Sequence, residues 1–290
     1  MANIAFFGLG TMGLPIATNL AKAGHTLYVM PRKGKMEAPA AIEKLGGVIV
    51  SGVEEMVKHA EFIISVVPND QSVKDIYFND AMKKAVQKGT IIIEMTSCSP
   101  DTVIELAKQY KPLGVSVIDA PITGALPKAI SGTLFIMGAG DKADFDKAQP
   151  VFAPISEKVF QLGKVGNGKL IKAMTNLLGA INLAAVGEFY RFAKAQNLDF
   201  RQLVDVVAVS AGGSTQFTRN FDKMITQNFT PTFTLDLLRK DMGIALACAK
   251  QHADLFMPLA ECAYDLYSQT HEFDKDDCSS IVRIDKKREK

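Results

Sequence analysis

Near the start of the chain, the stretch FFGLGTMG places glycines at Gly8, Gly10 and Gly13, behind a β-branched run and ahead of an amphipathic one. Glycine spacing of this kind between a strand and a helix has a chemical use. Gly8 permits a tight turn, Gly10 lets a ligand approach the backbone, and Gly13 lets the helix pack close to the sheet. The helix N-terminus adds unpaired N–H groups and a dipole that favours phosphate. With Leu9, Thr11 and Met12 between the glycines, the stretch reads as a cradle for the pyrophosphate of a dinucleotide. The alternative is a glycine turn that serves packing alone.

The end of the second expected strand should then say which dinucleotide is held. An NAD-selective site usually carries Asp or Glu there, accepting hydrogen bonds from the ribose 2′-hydroxyl. Here the residues are Met30, Pro31, Arg32 and Lys33, with Lys35 beyond. A guanidinium can grip a 2′-phosphate bidentately and stack on adenine, so Arg32 favours NADP, with NAD as the other choice. Arg32 and Lys33 could instead be solvated loop charges.

A third stretch, GKVGNGKLIKAMTN, carries Lys172 and Asn176. Four residues apart, they project from one face of a helix, which Gly179 and Leu183 continue. A Lys and an Asn facing a cleft make a general acid and an orienting hydrogen-bond donor. Taken alone, such a pair is more often a solvated surface.

The elements that must position these residues are legible in outline. NIAFFGL, TLYVMP, VIVS, FIISVVP, TIIIEM, VSVIDAP and GTLFIMGAG read as strands, separated by helix-period segments such as LPIATNLAKAG and VIELAKQYKPLG. Strands alternating with helices imply an α/β domain with a parallel sheet covered on both faces. From about Lys164 the pattern becomes helical throughout, opening with one long stretch that ends near Asn197. Two domains are expected: an α/β domain over 1–163 and an all-helical domain over 164–290.

Composition narrows the function classes. Apolar residues make up 48% and charged ones 22%, an ordinary soluble balance, and the net charge of +2 argues against a polyanionic partner. The basic end RIDKKREK reads as a solvated tail rather than a nucleic-acid or membrane contact. The four cysteines (Cys98, Cys248, Cys262, Cys278) lack CxxC spacing, and a reduced, cytoplasmic protein is the simplest reading. The start lacks the pattern of a signal peptide, no uninterrupted apolar run reaches membrane-spanning length, and no His or Cys spacing suggests a metal.

Four stretches together resemble the signature blocks of the β-hydroxyacid dehydrogenase family: FFGLGTMGLPIATNL, DAPITGALPKAISGTL, GNGKLIKAMTN and FTLDLLRKDMGIAL. They stand in family order and span nearly the whole chain. The resemblance implies a Rossmann domain with a parallel-rich sheet, a long interdomain helix and an all-α C-terminal domain supporting homodimers or homotetramers. It implies an enzyme that interconverts a small anionic hydroxyacid and its semialdehyde, with Lys172 catalytic and Asn176 its partner. The substrate loop falls on Thr123, Gly124 and Ala125. Cofactor contacts fall on Val67, Pro68, Thr96, Ser97, Phe233 and Lys240.

Within the family, the run PKAISGTL is closest to the tartronate semialdehyde (2-hydroxy-3-oxopropionate) reductases. Dehydrogenases of 3-hydroxyisobutyrate and reductases of glyoxylate or succinic semialdehyde are the alternatives. A relative of 6-phosphogluconate dehydrogenase is a close rival, though that enzyme has a much longer chain and a sugar phosphate that needs more basic ligands; an imine reductase and a catalytically silent NADP-binding sensor are the others. The chain departs from the family at Thr123 and Ala125, which narrow a loop that is usually Ser-Gly-Gly, at Pro31, and in the late segment HEFDKDDCSS, where Gly-x-Gly-Asp is usual.

Overall fold

A computed structural model describes residues 1–32 and 35–284. Lys33 and the basic end beyond Ile284 lie outside the described residues. The chain divides into two compact units, Met1–Lys172 and Ala173–Lys290.

The first unit begins with β1 (Asn3–Phe7), α1 (Gly13–Lys22), β2 (Thr26–Val29), α2 (Glu37–Glu43), β3 (Val48–Ile49) and α3 (Val53–Val57). Next come β4 (Phe62–Ser65), α4 (Asp70–Tyr77), α5 (Asp80–Ala85), β5 (Ile91–Glu94), α6 (Pro100–Tyr110) and β6 (Ser116–Asp119). The six strands form one sheet in the order β3-β2-β1-β4-β5-β6, every neighbouring pair parallel. Side chains alternate across it: Ile4 and Phe6 enter one core, Ala5 and Phe7 the other. Burial on both faces is what turns these strands into unbroken apolar runs. The order reverses direction between β1 and β4, so the loops after those two strands part and leave a crevice at the carboxyl ends.

A second, smaller sheet follows, built from β7 (Ile122–Thr123), β8 (Leu134–Gly138) and β9 (Ser156–Gln161), with α7 (Ala125–Ser131) and α8 (Lys142–Phe152) between them. β7 runs antiparallel to β8, and β9 runs parallel to it. The sequence reading expects one strand here, and the structure has three in a mixed sheet. β7 is two residues long, and β9 (SEKVFQ) buries none of its side chains fully, so neither carries the alternation that betrays a strand.

The long helix α9 (Asn167–Ala195) contains the boundary between the units. Asn197, with φ 55°, takes the left-handed conformation just beyond its end. The second unit continues with α10 (Phe200–Ala208), α11 (Thr215–Thr226), α12 (Leu235–Ala249) and α13 (Pro258–Tyr267), and no strand follows β9 among the described residues. In α9 the residues Ala173, Leu177, Ala180, Leu183, Ala184 and Tyr190 recur at helical spacing and enter the core of this unit. By length and composition α9 could cross a membrane, with a mean hydropathy of 1.4. Part of its apolar surface enters that core, while Met174, Leu178 and Phe192 are exposed.

Candidate active site

The glycines after β1 behave as their spacing requires. Gly8 sits at φ 96°, and a Cβ there would lie 2.1 Å from the Val66 carbonyl oxygen. At Gly13 a Cβ would lie 1.7 Å from the carbonyl oxygen of Gly8, so only glycine lets α1 start this close to the strand. At Gly10 a Cβ would meet nothing within 4 Å, which leaves open space above the backbone. No side chain caps α1 and its first turn holds no acid, so its leading N–H groups remain on offer to an anion. These features fit the pyrophosphate of a nicotinamide dinucleotide. Leu9 and Met12 pack against the core, while Thr11 is exposed.

Arg32 lies exposed just past β2, where its carbonyl accepts a 2.8 Å hydrogen bond from the Lys35 N–H. The loops after β4 and β5 are tied to each other, because the Val67 N–H donates to the Thr96 hydroxyl at 3.1 Å. A second tie comes from Asp70, whose carboxylate accepts from the Ser99 N–H and the Thr102 hydroxyl. Pro68 is exposed and Ser97 half-buried beside these ties.

Beneath the loops lies a fully buried cluster that sequence reasoning missed. Lys169 Nζ stands 2.6 Å from Glu94 Oε2 and 3.2 Å from Asp119 Oδ1, and donates to the Glu94 carbonyl at 2.8 Å. Asp119, at the end of β6, also accepts from the N–H groups of Gly166 and Lys169, so it caps α9 from a distant strand. Glu94, at the end of β5, accepts from the Thr96 N–H and the Ser65 hydroxyl, and Ser65 in turn accepts from Tyr77. Burial alone would push the Lys169 ammonium down, but the two carboxylates outweigh it and hold it above its ordinary range. For Asp119 burial prevails over Lys169, and its carboxyl rises. The cluster pins the first turn of α9, and Lys172 stands three residues on.

The substrate loop predicted at Thr123, Gly124 and Ala125 joins β7 to α7. Gly124 has φ 137°, and a Cβ there would press on Lys128 at 2.8 Å. Ala125 holds φ 58°, a left-handed conformation that costs an L-residue roughly 1–2 kcal/mol.

In the second unit the structure brings Asn176, Lys240 and Phe233 together, and adds Asp241. Asn176 Nδ2 donates to Asp241 Oδ2 at 2.5 Å, and Lys240 Nζ lies 2.9 Å from Asp241 Oδ1. Because a carboxylate only accepts, the amide nitrogen of Asn176 is committed to Asp241 and its oxygen faces the other way. Asp241 is buried, 2% exposed, within the apolar period of α12. A charge at a core position was the available signal for it. Beside Asn176 a cavity of about 70 Å³ is lined by Gly179, Leu183, Gln216, Phe233 and Leu238. Cys278 also borders it, with burial pushing the thiol up to about 12, so it presents a neutral wall.

Comparison with known proteins assigns the chain to a family. Residues 3–163 match the family model described as the NAD binding domain of 6-phosphogluconate dehydrogenase, and residues 166–284 the one described as NAD-binding of NADP-dependent 3-hydroxyisobutyrate dehydrogenase. The chain belongs to the β-hydroxyacid dehydrogenase family. Members of this β-hydroxyacid dehydrogenase family are NAD(P)-dependent oxidoreductases acting on CH–OH groups. Among relatives, the 2-hydroxy-3-oxopropionate reductase of Escherichia coli is 32% identical over 91% of this chain and 90% of its own. The 3-sulfolactaldehyde reductase of Escherichia coli is 31% identical over 93% and 90%. The solved 3-hydroxyisobutyrate dehydrogenase of Mycobacterium tuberculosis, with L-serine, superposes with a TM-score of 0.90 at 26% identity, covering 98% of each chain.

Proposed function

We propose that this chain reduces a short semialdehyde carrying a carboxylate, with NADPH as the favoured reductant and 2-hydroxy-3-oxopropionate as the substrate. The observation that carries the reading is the small cavity at Asn176, one helical turn from Lys172 and bordered by Phe233. A space of about 70 Å³ suits a small substrate. The named reductases of 2-hydroxy-3-oxopropionate and 3-sulfolactaldehyde among the relatives support a compact anionic aldehyde. The exposed Arg32 after β2, with no acid at the strand end, supports NADPH over NADH.

A reduced nicotinamide, when bound, supplies the hydride for the aldehyde carbon. Lys172 supplies the proton to the carbonyl oxygen, and in the oxidising direction accepts it as a neutral amine. Asn176, its nitrogen committed to Asp241, turns its oxygen to receive a proton donor, either the Lys172 ammonium or the substrate hydroxyl. Backbone N–H groups and the Thr123 hydroxyl hold the carboxylate, in a loop that Ala125 narrows. Asp241 offsets the charge of Lys240, so anchoring of the anion rests on that loop and on Lys172.

With NADPH saturating, kcat/KM for 2-hydroxy-3-oxopropionate, succinic semialdehyde and glyoxylate should exceed that for propanal and butanal by about 100-fold. Comparable values for acids and neutral aldehydes would remove the anion site from the reading. A 3-hydroxyisobutyrate dehydrogenase is the second reading, favoured by the close superposition on that enzyme. The two differ by a methyl in place of a hydroxyl on the middle carbon. We take the active form as a cytoplasmic homodimer or homotetramer, as the family resemblance implies, and sedimentation of the purified protein measures its state.

A further inference from the structure

Gln216 enters the cavity beside Asn176 from the first turn of α11. Its amide can be oriented from its neighbours alone. Asn220 Nδ2 donates at 3.1 Å to the backbone carbonyl of Gln216, which can only accept, so that atom of Asn220 is its nitrogen. The same nitrogen lies 2.8 Å from the Gln216 side chain and must meet an acceptor there, which is Oε1. Nε2 is therefore the atom turned toward α9, where a Cβ on Gly179 would lie 2.9 Å from it. Leu183, Phe233 and Leu238 make the apolar part of the lining, and Thr175, Asn176 and Cys278 complete it. Asn220 is buried, so the anchor of the amide is shielded from competing water.

From this geometry we infer that Gln216 is a specificity-determining residue. Its N–H group receives the oxygen on the middle carbon of the substrate and discriminates against an apolar group in that place. The inference rests on the semialdehyde reading above and refines it. A wall built to hydrogen-bond an oxygen disfavours the methyl analogue, because the amide would then face an apolar group in place of an acceptor. Gly179 is the complementary half of the device: with any side chain there the amide could not reach inward.

The test compares two aldehydes that share a carboxylate and differ only at the middle carbon, 2-hydroxy-3-oxopropionate and 2-methyl-3-oxopropionate. For the unaltered protein the ratio of kcat/KM should favour the hydroxylated compound. Gln216→Met, which keeps length and removes the donor, should lower that ratio by about tenfold or more. Gly179→Ala should lower it in the same direction by displacing the amide. NADPH affinity and thermal midpoint of both variants establish that they are folded. An equal loss on both aldehydes, or an unmoved ratio, overturns the role of Gln216 while the semialdehyde reading stands. If the unaltered protein reduces neither aldehyde, the reading itself fails and the inference falls with it.

Discussion

A lysine can serve as an acid only if something holds it still, and Lys172 follows by three residues a turn of α9 that is fastened to two strands. Replacing Lys172 by Ala should lower kcat by about 10²–10⁴, the usual worth of a positioned proton donor, with NADPH binding retained. Activity within tenfold of the parent would take the proton from another group. Arg32 invites a different measurement. Arg32→Ala should weaken NADPH by roughly 10–150-fold, the equivalent of about 1.5–3 kcal/mol for a charge-assisted contact, and leave NADH nearly untouched. Equal losses for the two would assign the 2′-phosphate to other residues. At this scale the sequence was unevenly legible. Gly8, Gly10 and Gly13 announce themselves, because a backbone requirement leaves a mark in residue type. Lys169 did not: a lysine at the start of a helix looks solvated, and its partners Glu94 and Asp119 lie 75 and 50 residues away.

Among the elements, the segment before α12 is held by one acid. Asp277 accepts from the N–H and hydroxyl of Thr232 through Oδ2 and from those of Ser279 through Oδ1, and Lys223 of α11 stands at 3.0 Å. The adjacent Cys278 N–H donates to the carbonyl of Phe233, so this knot sets one wall of the cavity. Burial would raise the Asp277 carboxyl, but the hydrogen bonds from Thr232 and Ser279 outweigh it and bring it down to about 2. A carboxyl lowered from its usual value near 4 contributes stability that is present above about pH 4 and lost as pH falls toward 2, here about 2 kcal/mol. Urea unfolding of Asp277→Asn beside the parent should thus show a stability gap that narrows as pH falls from 6 to 3. A constant gap would mean that the contribution of Asp277 is not ionic. In the sequence this knot sits inside HEFDKDDCSS, where a departure from the family pattern was visible but its purpose was not. β9 escaped notice for a related reason, since a strand with no buried face has no periodicity to read.

For the molecule as a whole, the two-part organisation follows from the change of pattern after the last Rossmann elements, and the parallel pairing of the main sheet follows from alternation of strand and helix. The glycine cradle and most of the expected cofactor contacts lie in the first unit, with Phe233 and Lys240 in the second, which has a thermal consequence. NADPH at about 100 times its Kd should stabilise the first unit by about 2.7 kcal/mol, which for a body of this size raises its midpoint by about 5–10 °C. NADH at the same concentration should give the smaller shift. Calorimetry showing no shift with either would contradict the glycine cradle.

The junction between the units has a bearing on how such a protein can be taken apart or recombined. The family models meet between residues 163 and 166, yet the first compact unit runs on to Lys172. A fragment ended at residue 163 would keep Glu94 and Asp119 and discard Lys169, leaving two buried carboxylates facing each other without their cation. Breaking a buried pair in this way costs about 3–5 kcal/mol, a large share of what holds a domain together. Modularity in this chain is therefore asymmetric. The nucleotide-binding half carries a piece of its neighbour's helix as part of its own interior, and a graft or a recombination point survives only if it falls after that lysine.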